Sequence, residues 1–314
     1  TDVYVKAAVQ AGFVENNDFN GANQEGVSPY EVTQKNGERW SVARAYLHPV
    51  LKRPNLTVIT EARTTKVLLD GKRARGVAFV KRGKTTEIVA TQEVILSGGA
   101  INSPQLLMLS GIGPVNELQQ HGITVHHALP GVGQNLQDHL DLMVVHKCTQ
   151  PVSLGVSPRN LLTQVKHLFN YIFKRTGALT TNDAEGGGFV KSDAQQSIPD
   201  LQFHFAAVHL EDHARNVKSA LSTMFGHGYT LHVCDLRPKS RGVIGLKSAD
   251  PTADARIEPN YLSHPDDMKT MVKGVKAARK VLAAQAFDAY RGVEMFPGRH
   301  VQTDAQIEAF VREK

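Results

Sequence analysis

Glu93-Val94-Ile95-Leu96-Ser97-Gly98-Gly99-Ala100-Ile101-Asn102-Ser103-Pro104-Gln105-Leu106-Leu107-Met108-Leu109 passes from a short apolar run, through paired glycines, into a second apolar stretch. The first four residues predict a strand buried on both faces, because a run without polar alternation has no solvent side. Leu106, Leu107 and Leu109 supply the core face of a helix expected to start near Ser103-Pro104, where proline suits a first turn. Ser97-Gly98-Gly99-Ala100 is the turn between them. Glycines there let the backbone approach a ligand closely, and the following helix start offers N–H groups to an anion. This is the layout of a dinucleotide site without its first βαβ unit.

Upstream, the rhythm is that of a β-meander. Leu56–Thr60 and Thr64–Leu69 are strand-like runs, and Asp70-Gly71 is a hairpin turn signal. Arg75–Val80 returns, Arg82-Gly83-Lys84 turns, and Glu87–Ala90 runs back. Before the meander come a short helix over residues 3–12, a polar, glycine-containing loop over 13–38, and helical periodicity from Trp40 to Leu51.

Downstream, residues 140–263 predict strands at 142–148, 188–190, 201–205, 230–234 and 243–246. Helices are expected at 160–175 and 265–286. The fold class is therefore α/β plus α+β: part of a Rossmann-like domain with a β-meander, and a sheet-plus-helices domain. The expected organisation is a loop-and-helix segment at 1–47, a partial dinucleotide-binding domain at 48–139, a sheet-plus-helices domain at 140–295, and a lead-in at 296–314.

The 314 residues are 41% hydrophobic and 21% charged, a globular composition. No apolar run reaches the roughly 18 residues that span a bilayer. The net charge is +6, but the basic residues are interspersed and do not alternate with stacking aromatics, so no nucleic-acid partner is expected. Cys148 and Cys234 are read as buried free thiols in a reducing compartment. His204, His209 and His213 lack the spacing and companion ligands of a metal site, and no metal is expected. The 160–175 helix carries Lys166, His167, Lys174 and Arg175 beside its apolar stripe. Packing on the domain's own sheet is the expected use of that stripe, with peripheral membrane contact as the alternative.

Gly99-Ala100, Ser103-Pro104, Leu106-Leu107 and Ser110-Gly111-Ile112-Gly113 match the constrained positions of the second signature of the glucose-methanol-choline (GMC) oxidoreductases. Gly37–Ala43, Leu129–His139, Ser240-Arg241-Gly242 and Pro259–Leu262 resemble further landmarks of that family in the same order. The chain resembles its choline- and aliphatic-alcohol-oxidising members and reads as an interior fragment. The Gly-x-Gly-x-x-Gly turn is absent, since Gly131-Val132-Gly133-Gln134-Asn135-Leu136 lacks the third glycine. The family's catalytic histidine segment is expected beyond Lys314.

The resemblance implies FAD as cofactor and an alcohol substrate oxidised to an aldehyde. A histidine takes the hydroxyl proton while hydride passes to the flavin. The electron acceptor is open between O2 and another carrier, and a non-redox lyase or a non-catalytic domain are the other readings. It implies FAD contacts from Val67, Ser97, Gly98, Gly99, Asn135, Asp138 and His139. Val67 is similar to the family valine whose backbone meets the adenine, its alternative being an ordinary strand valine, and Asp138-His139 reads equally as a local cap or turn. Glu185 is similar to a glutamate that lines the substrate cavity in relatives. A cytoplasmic location, peripheral at the inner membrane if the helix serves that end, is expected.

Overall fold

In the computed structural model, residues 1–210 and 217–314 are described. Along the chain lie α1 (Asp2–Gln10), β1 (Gly26–Pro29), β2 (Gln34–Lys35), β3 (Glu38–Arg39), β4 (Arg63–Asp70), β5 (Arg73–Lys81), β6 (Lys84–Val89), α2 (Gly99–Leu109), β7 (Ile112–Gly113), α3 (Val115–Gln120) and β8 (His127–Ala128). There follow β9 (Asp141–Cys148), α4 (Leu161–Lys174), β10 (Ala184–Val190), β11 (Leu201–Ala206), α5 (Val217–Phe225), β12 (Gly228–Asp235), β13 (Val243–Gly245), β14 (Arg256–Glu258), α6 (Pro265–Leu282), β15 (Arg291–Phe296) and α7 (Asp304–Glu313).

These elements form two compact units, and both are discontinuous in sequence. One comprises Thr1–Pro49, His139–Pro238 and Pro265–Lys314; the other comprises Val50–Asp138 and Lys239–His264. The expected single stretch 140–295 is thus interrupted. Residues 239–264 leave because Leu136 and Gly242 exchange backbone hydrogen bonds, and Ile244 N–H donates to Gly133 O at 2.7 Å.

The first unit is built on a six-stranded antiparallel sheet ordered β1-β10-β11-β12-β9-β15. Strand alternation sends Leu201, Phe203 and Phe205 of β11, with Leu231 and Val233 of β12, to one buried face. Tyr4 of α1 stacks on Phe205 there. Gly274 of α6 lies so close that an added Cβ would stand 2.8 Å from the Val233 side chain. β1 was not expected: Gly26–Pro29 lies within the predicted loop, yet pairs with β10 from Gly26↔Phe189 to Pro29↔Gly186.

The helix expected at Trp40–Leu51 is only a π turn at Ala43–Leu47 and a 3-10 turn at His48–Val50, which ends the segment around Pro49. Arg44 and Lys35 instead sit over the Trp40 ring. The α4 stripe does not pack on the sheet. None of α4 is buried, and its apolar residues point to solvent. The residues turned inward are Gln164, His167, Asn170 and Tyr171.

The second unit contains the meander β4-β5-β6, with the loops Gly71-Lys72 and Arg82-Gly83. Arg82 and Gly83 have φ of 49° and 75°, the paired positive values of a tight hairpin turn. α2 begins at Gly99 rather than near Ser103, so Pro104 lies inside the helix. Met108, Leu118, Val132, Ile244 and Leu246 form this unit's core.

Two expected strands are absent. Residues 56–60 and 93–96 carry no regular secondary structure and pair with no strand among the described residues, and Ile95 is 75% exposed rather than buried. Their composition favours a strand, but a strand needs a partner, and among the described residues they pair with none.

Candidate active-site elements

The second unit contains a cleft of about 1000 Å³ at the turn from residues 93–97 into α2. Ser97 and Gly98 line it, with Thr64, Val77, Asn102 and Arg256 on other walls. Gly98 is the N-cap of α2 and contributes no side chain, so the first-turn N–H groups of the helix have no side-chain cap. Such a start is suited to an anionic ligand. Gly99 has φ of +78°, and a Cβ there would meet nothing within 4 Å. The far wall is strapped down by Arg63, which donates to Pro251 O and Thr252 O at 3.3 and 2.9 Å, and by Gln105, which donates to Ala253 O at 2.9 Å.

Val67 is elsewhere. It is 3% exposed, and its N–H donates to Ser110 Oγ at 2.8 Å. Three residues earlier on β4, Thr64 reaches the cleft that Val67 does not. Val67-Leu68-Leu69 is the apolar end of a run whose earlier residues are polar, and Val67 and Leu68 are its buried pair.

Asn135 lies on a smaller hollow of about 310 Å³ with Ala100, Pro104 and Ile244, and has φ of 61°. Asp138 accepts a short hydrogen bond from the Tyr261 hydroxyl. Partial burial and that carboxylate push the phenol up to about 12. Asp138 therefore ties its loop to the Asn260-Tyr261 turn. His139 belongs to the other unit.

In the first unit, the sheet face opposite α1 and α6 is polar. Alternation places Gln202 and His204 of β11 beside Cys234 and His232 of β12, with His204 paired to His232. His232 Nδ1 lies 2.7 Å from Asp141 Oδ2 on β9, and Cys234 Sγ lies 3.4 Å from Asp141 Oδ1. The Tyr30 ring stands 5.6 Å from the His204 ring; its hydroxyl donates to Phe203 O at 2.6 Å and accepts from Gln202 Nε2 at 3.1 Å. Burial, then the neighbouring His232, hold the His204 pKa below the ordinary histidine value, against the pull of Asp141. A neutral imidazole beside a His–carboxylate pair can donate or accept a proton at a polar ligand.

Tyr30, Asp141, Gln202, His232 and Cys234 were not among the expected site residues. The signal for Gln202, His232 and Cys234 is the period-two spacing of polar residues in Gln202-Phe203-His204-Phe205 and Thr230-Leu231-His232-Val233-Cys234; Tyr30 and Asp141 lie outside these runs. Glu185, at a bulge in β10, is exposed and accepts from Thr1 Oγ1 at 3.0 Å. Cys148 and Cys234 are free thiols, the second buried and the first partly so. His213 lies outside the described residues, and among those described no group of three His, Cys, Asp or Glu side chains could hold a metal ion.

The GMC oxidoreductase profile matches residues 1–141 and 238–314. An alcohol dehydrogenase (acceptor) of Pseudomonas putida is 50% identical over 99% of this chain and 56% of its own length. The oxygen-dependent choline dehydrogenase of Brucella ovis is 44% identical over 99% and 55%. The mitochondrial choline dehydrogenase of Homo sapiens is 43% identical over 99% and 51%. The chain thus spans about half the length of the curated relatives it matches. Pyridoxine 4-oxidase from Mesorbium loti shares the fold with a TM-score of 0.82 at 23% identity, over 99% of this chain and 56% of that one. An FAD-dependent oxidoreductase from Chaetomium thermophilum does so with a TM-score of 0.86 at 22% identity, over 99% and 60%. On these matches, and on the Gly99–Gly113 signature they share a chain with, this protein belongs to the GMC oxidoreductase family.

Proposed function

We propose that the chain is part of an FAD-dependent enzyme that oxidises a small alcohol to its aldehyde. The observation that carries this reading is the cleft at Ser97-Gly98, bordered by an uncapped helix start, in a chain of this family. The residues fit the cofactor: the cleft has both apolar and polar walls, and space stays open beside Gly99. Bound FAD supplies the hydride acceptor.

Ser97, Gly98 and Thr64 would hold the adenosine half of FAD, and the uncapped α2 N–H groups would suit its diphosphate. Gly99 leaves the backbone bare for close approach, and Asn135, Asp138 and His139 shape the loop on the flavin side. Val67 supports β4 from within the core. On the sheet face, His204 and the His232–Asp141 pair orient the substrate hydroxyl, with His204 neutral at neutral pH. Glu185 is the β10 carboxylate offered to a cationic substrate such as choline. Peripheral association with a membrane is part of the same reading, supported by the outward stripe of α4. Among the described residues no helix is long and apolar enough to cross a membrane.

The test is a substrate panel on the full-length enzyme, comparing choline with medium-chain alcohols. Reduction of an artificial acceptor and O2 consumption are followed together. Stoichiometric flavin absorbance and alcohol-dependent acceptor reduction are expected. A preparation with no flavin, or one inert to every alcohol, refutes the reading. The ratio of the two electron-transfer rates assigns the acceptor class.

A further inference from the structure

In the first unit, α4 and α5 are both turned inside out. Seven apolar side chains of α4, from Leu161 to Phe173, are 50–86% exposed. They recur at the three- and four-residue spacing that makes one continuous face. The opposite, polar face is the anchored one: Gln164 Nε2 donates to Gly155 O at 3.3 Å, and Asn160 Nδ2 to the same oxygen at 2.8 Å. α5 repeats the inversion. Ser219 is 2% exposed, whereas Val217, Leu221, Met224 and Phe225 are 51–77% exposed.

The two helices are joined at one corner. Val156 N–H donates to Met224 O at 2.8 Å, and the His227 ring bridges Ser153 Oγ and Ser157 Oγ at 3.1 and 2.8 Å. Gly155 is pressed against Gly226, where an added Cβ would stand 1.9 Å from the carbonyl oxygen. The inversion is thus held by specific polar contacts and is not a loosely placed helix. A soluble protein rarely exposes an apolar area of this kind without a use for it.

The charge around the two faces selects the occupant. No Asp or Glu occurs from Leu142 to Asn182, nor from Val217 to Cys234. Arg159, Lys166, Lys174 and Lys218 are exposed there, and no carboxylate lies within ion-pair distance of any of them among the described residues. Arg175 differs, pairing with Glu38 at 3.4 Å. Lys166 lies one helical turn from Leu162 and from Phe169, at the rim of the apolar stripe, where its stem can cover apolar surface while its ammonium reaches outward. A second copy would bring the same unpaired cations against one another. A bilayer with anionic headgroups offers hydrocarbon for the stripe and negative charge for its rim, the arrangement of an interfacial amphipathic helix.

We infer that the α4 and α5 faces dock this protein onto an anionic lipid surface. The inference rests on the peripheral-membrane part of the reading above and names its partner and its residues. Each basic side chain near such a surface strengthens binding roughly five-fold, and the effect is screened by salt.

The experiment uses the full-length enzyme with two kinds of vesicle, phosphatidylcholine alone and phosphatidylcholine with one quarter phosphatidylglycerol. Co-sedimentation is measured at low and high salt for the wild type, for Phe169→Glu/Phe173→Glu, and for Lys166→Glu/Lys174→Glu. Light scattering reports oligomeric state in parallel. Wild-type protein is expected to sediment with the anionic vesicles at low salt and at least ten-fold less with the neutral ones. Both double variants are expected to lose at least ten-fold in binding while flavin absorbance and turnover of a soluble alcohol persist. Wild type left in the supernatant with anionic vesicles overturns the inference. So does undiminished binding of either variant, or a dimer that the Phe169→Glu/Phe173→Glu variant dissociates with vesicle binding unchanged. Flavin content and turnover report separately on the oxidoreductase reading, so either can fail alone.

Discussion

Ser110 Oγ accepts the Val67 N–H at 2.8 Å and donates to Leu106 O at 2.6 Å, in a side chain with no solvent exposure. One hydroxyl thus fastens the end of α2 to the middle of β4, and both elements contribute walls to the cleft at Ser97-Gly98. Ser110→Ala leaves the Val67 amide buried without an acceptor. Leaving such a donor unsatisfied costs about 1–3 kcal/mol. We expect Ser110→Ala to lower the unfolding free energy by about that amount in urea melts of the full-length enzyme. Val67→Ile should cost less, because it keeps the amide bond. An unchanged midpoint in Ser110→Ala would show that water or another group replaces the hydroxyl.

Asp235 closes β12 at 2% exposure, with burial raising its pKa to about 6. Asp267 and Asp200 add to the rise, while the Arg237 N–H opposes it. An acid whose folded pKa lies above its unfolded value holds its proton longer in the folded state. Stability is therefore lost as pH rises from about 4 to about 6, and the loss is complete above that. Asp235→Asn removes the penalty and keeps an oxygen for the Arg237 N–H. It should stabilise the protein at pH 7.5, on the order of 2–3 kcal/mol for a shift of this size, and change little at pH 4. Denaturant midpoints at the two pH values check this. A variant less stable at pH 7.5 would mean that the charged carboxylate is needed there.

Much of this fold is legible in local sequence. The meander follows from Asp70-Gly71, which leads into the two-residue loop Gly71-Lys72, and from the Arg82-Gly83 loop, although the β4–β5 register shifts at two points. β1 is not legible: Gly26-Val27-Ser28-Pro29 has one β-branched residue, and its partner in β10 lies about 160 residues away. The strands expected at 56–60 and 93–96 show the opposite failure, with the right composition and no neighbour to pair with. Periodicity located the α4 stripe, but periodicity gives a face and not its direction. The polar sheet face was partly readable. The spacing of His204 with His209 and His213 invites a metal reading, whereas its alternation with Phe203 and Phe205 marks it as one of a row.

That row supports a kinetic prediction. If His204 and the His232–Asp141 pair orient the substrate hydroxyl, His204→Ala should lower kcat/KM by ten-fold or more with flavin content unchanged. His204→Gln, which keeps one donor and one acceptor, should recover part of it. Asp141→Asn removes the negative charge that pulls the His204 pKa upward, so the limb of the pH profile that His204 sets should move to lower pH, a readout that a purely structural role would leave in place. The measurements are steady-state rates and flavin absorbance across pH 5–9. Wild-type kinetics in His204→Ala would remove the sheet face from the site.

Gly99 separates two reasons for a glycine. Its φ of +78° strains any L side chain, by roughly 1–2 kcal/mol for a residue forced into the left-handed region. Yet a Cβ there meets nothing within 4 Å, so the chain itself does not fill that space. Gly98 is the crowded neighbour, with an added Cβ 3.1 Å from Asn102 Cβ. If the open space beside Gly99 belongs to FAD, both Gly99→Val and Gly99→Asn should lower flavin occupancy in the full-length enzyme. Asn tolerates the left-handed conformation better than Val, so only Gly99→Val should also lower the melting temperature of the flavin-free protein appreciably. Flavin absorbance per polypeptide and apoprotein melting curves give the two readouts. Full flavin content in Gly99→Asn, beside a loss in Gly99→Val, would reduce the role of Gly99 to its backbone conformation and place the cofactor's approach elsewhere along the turn.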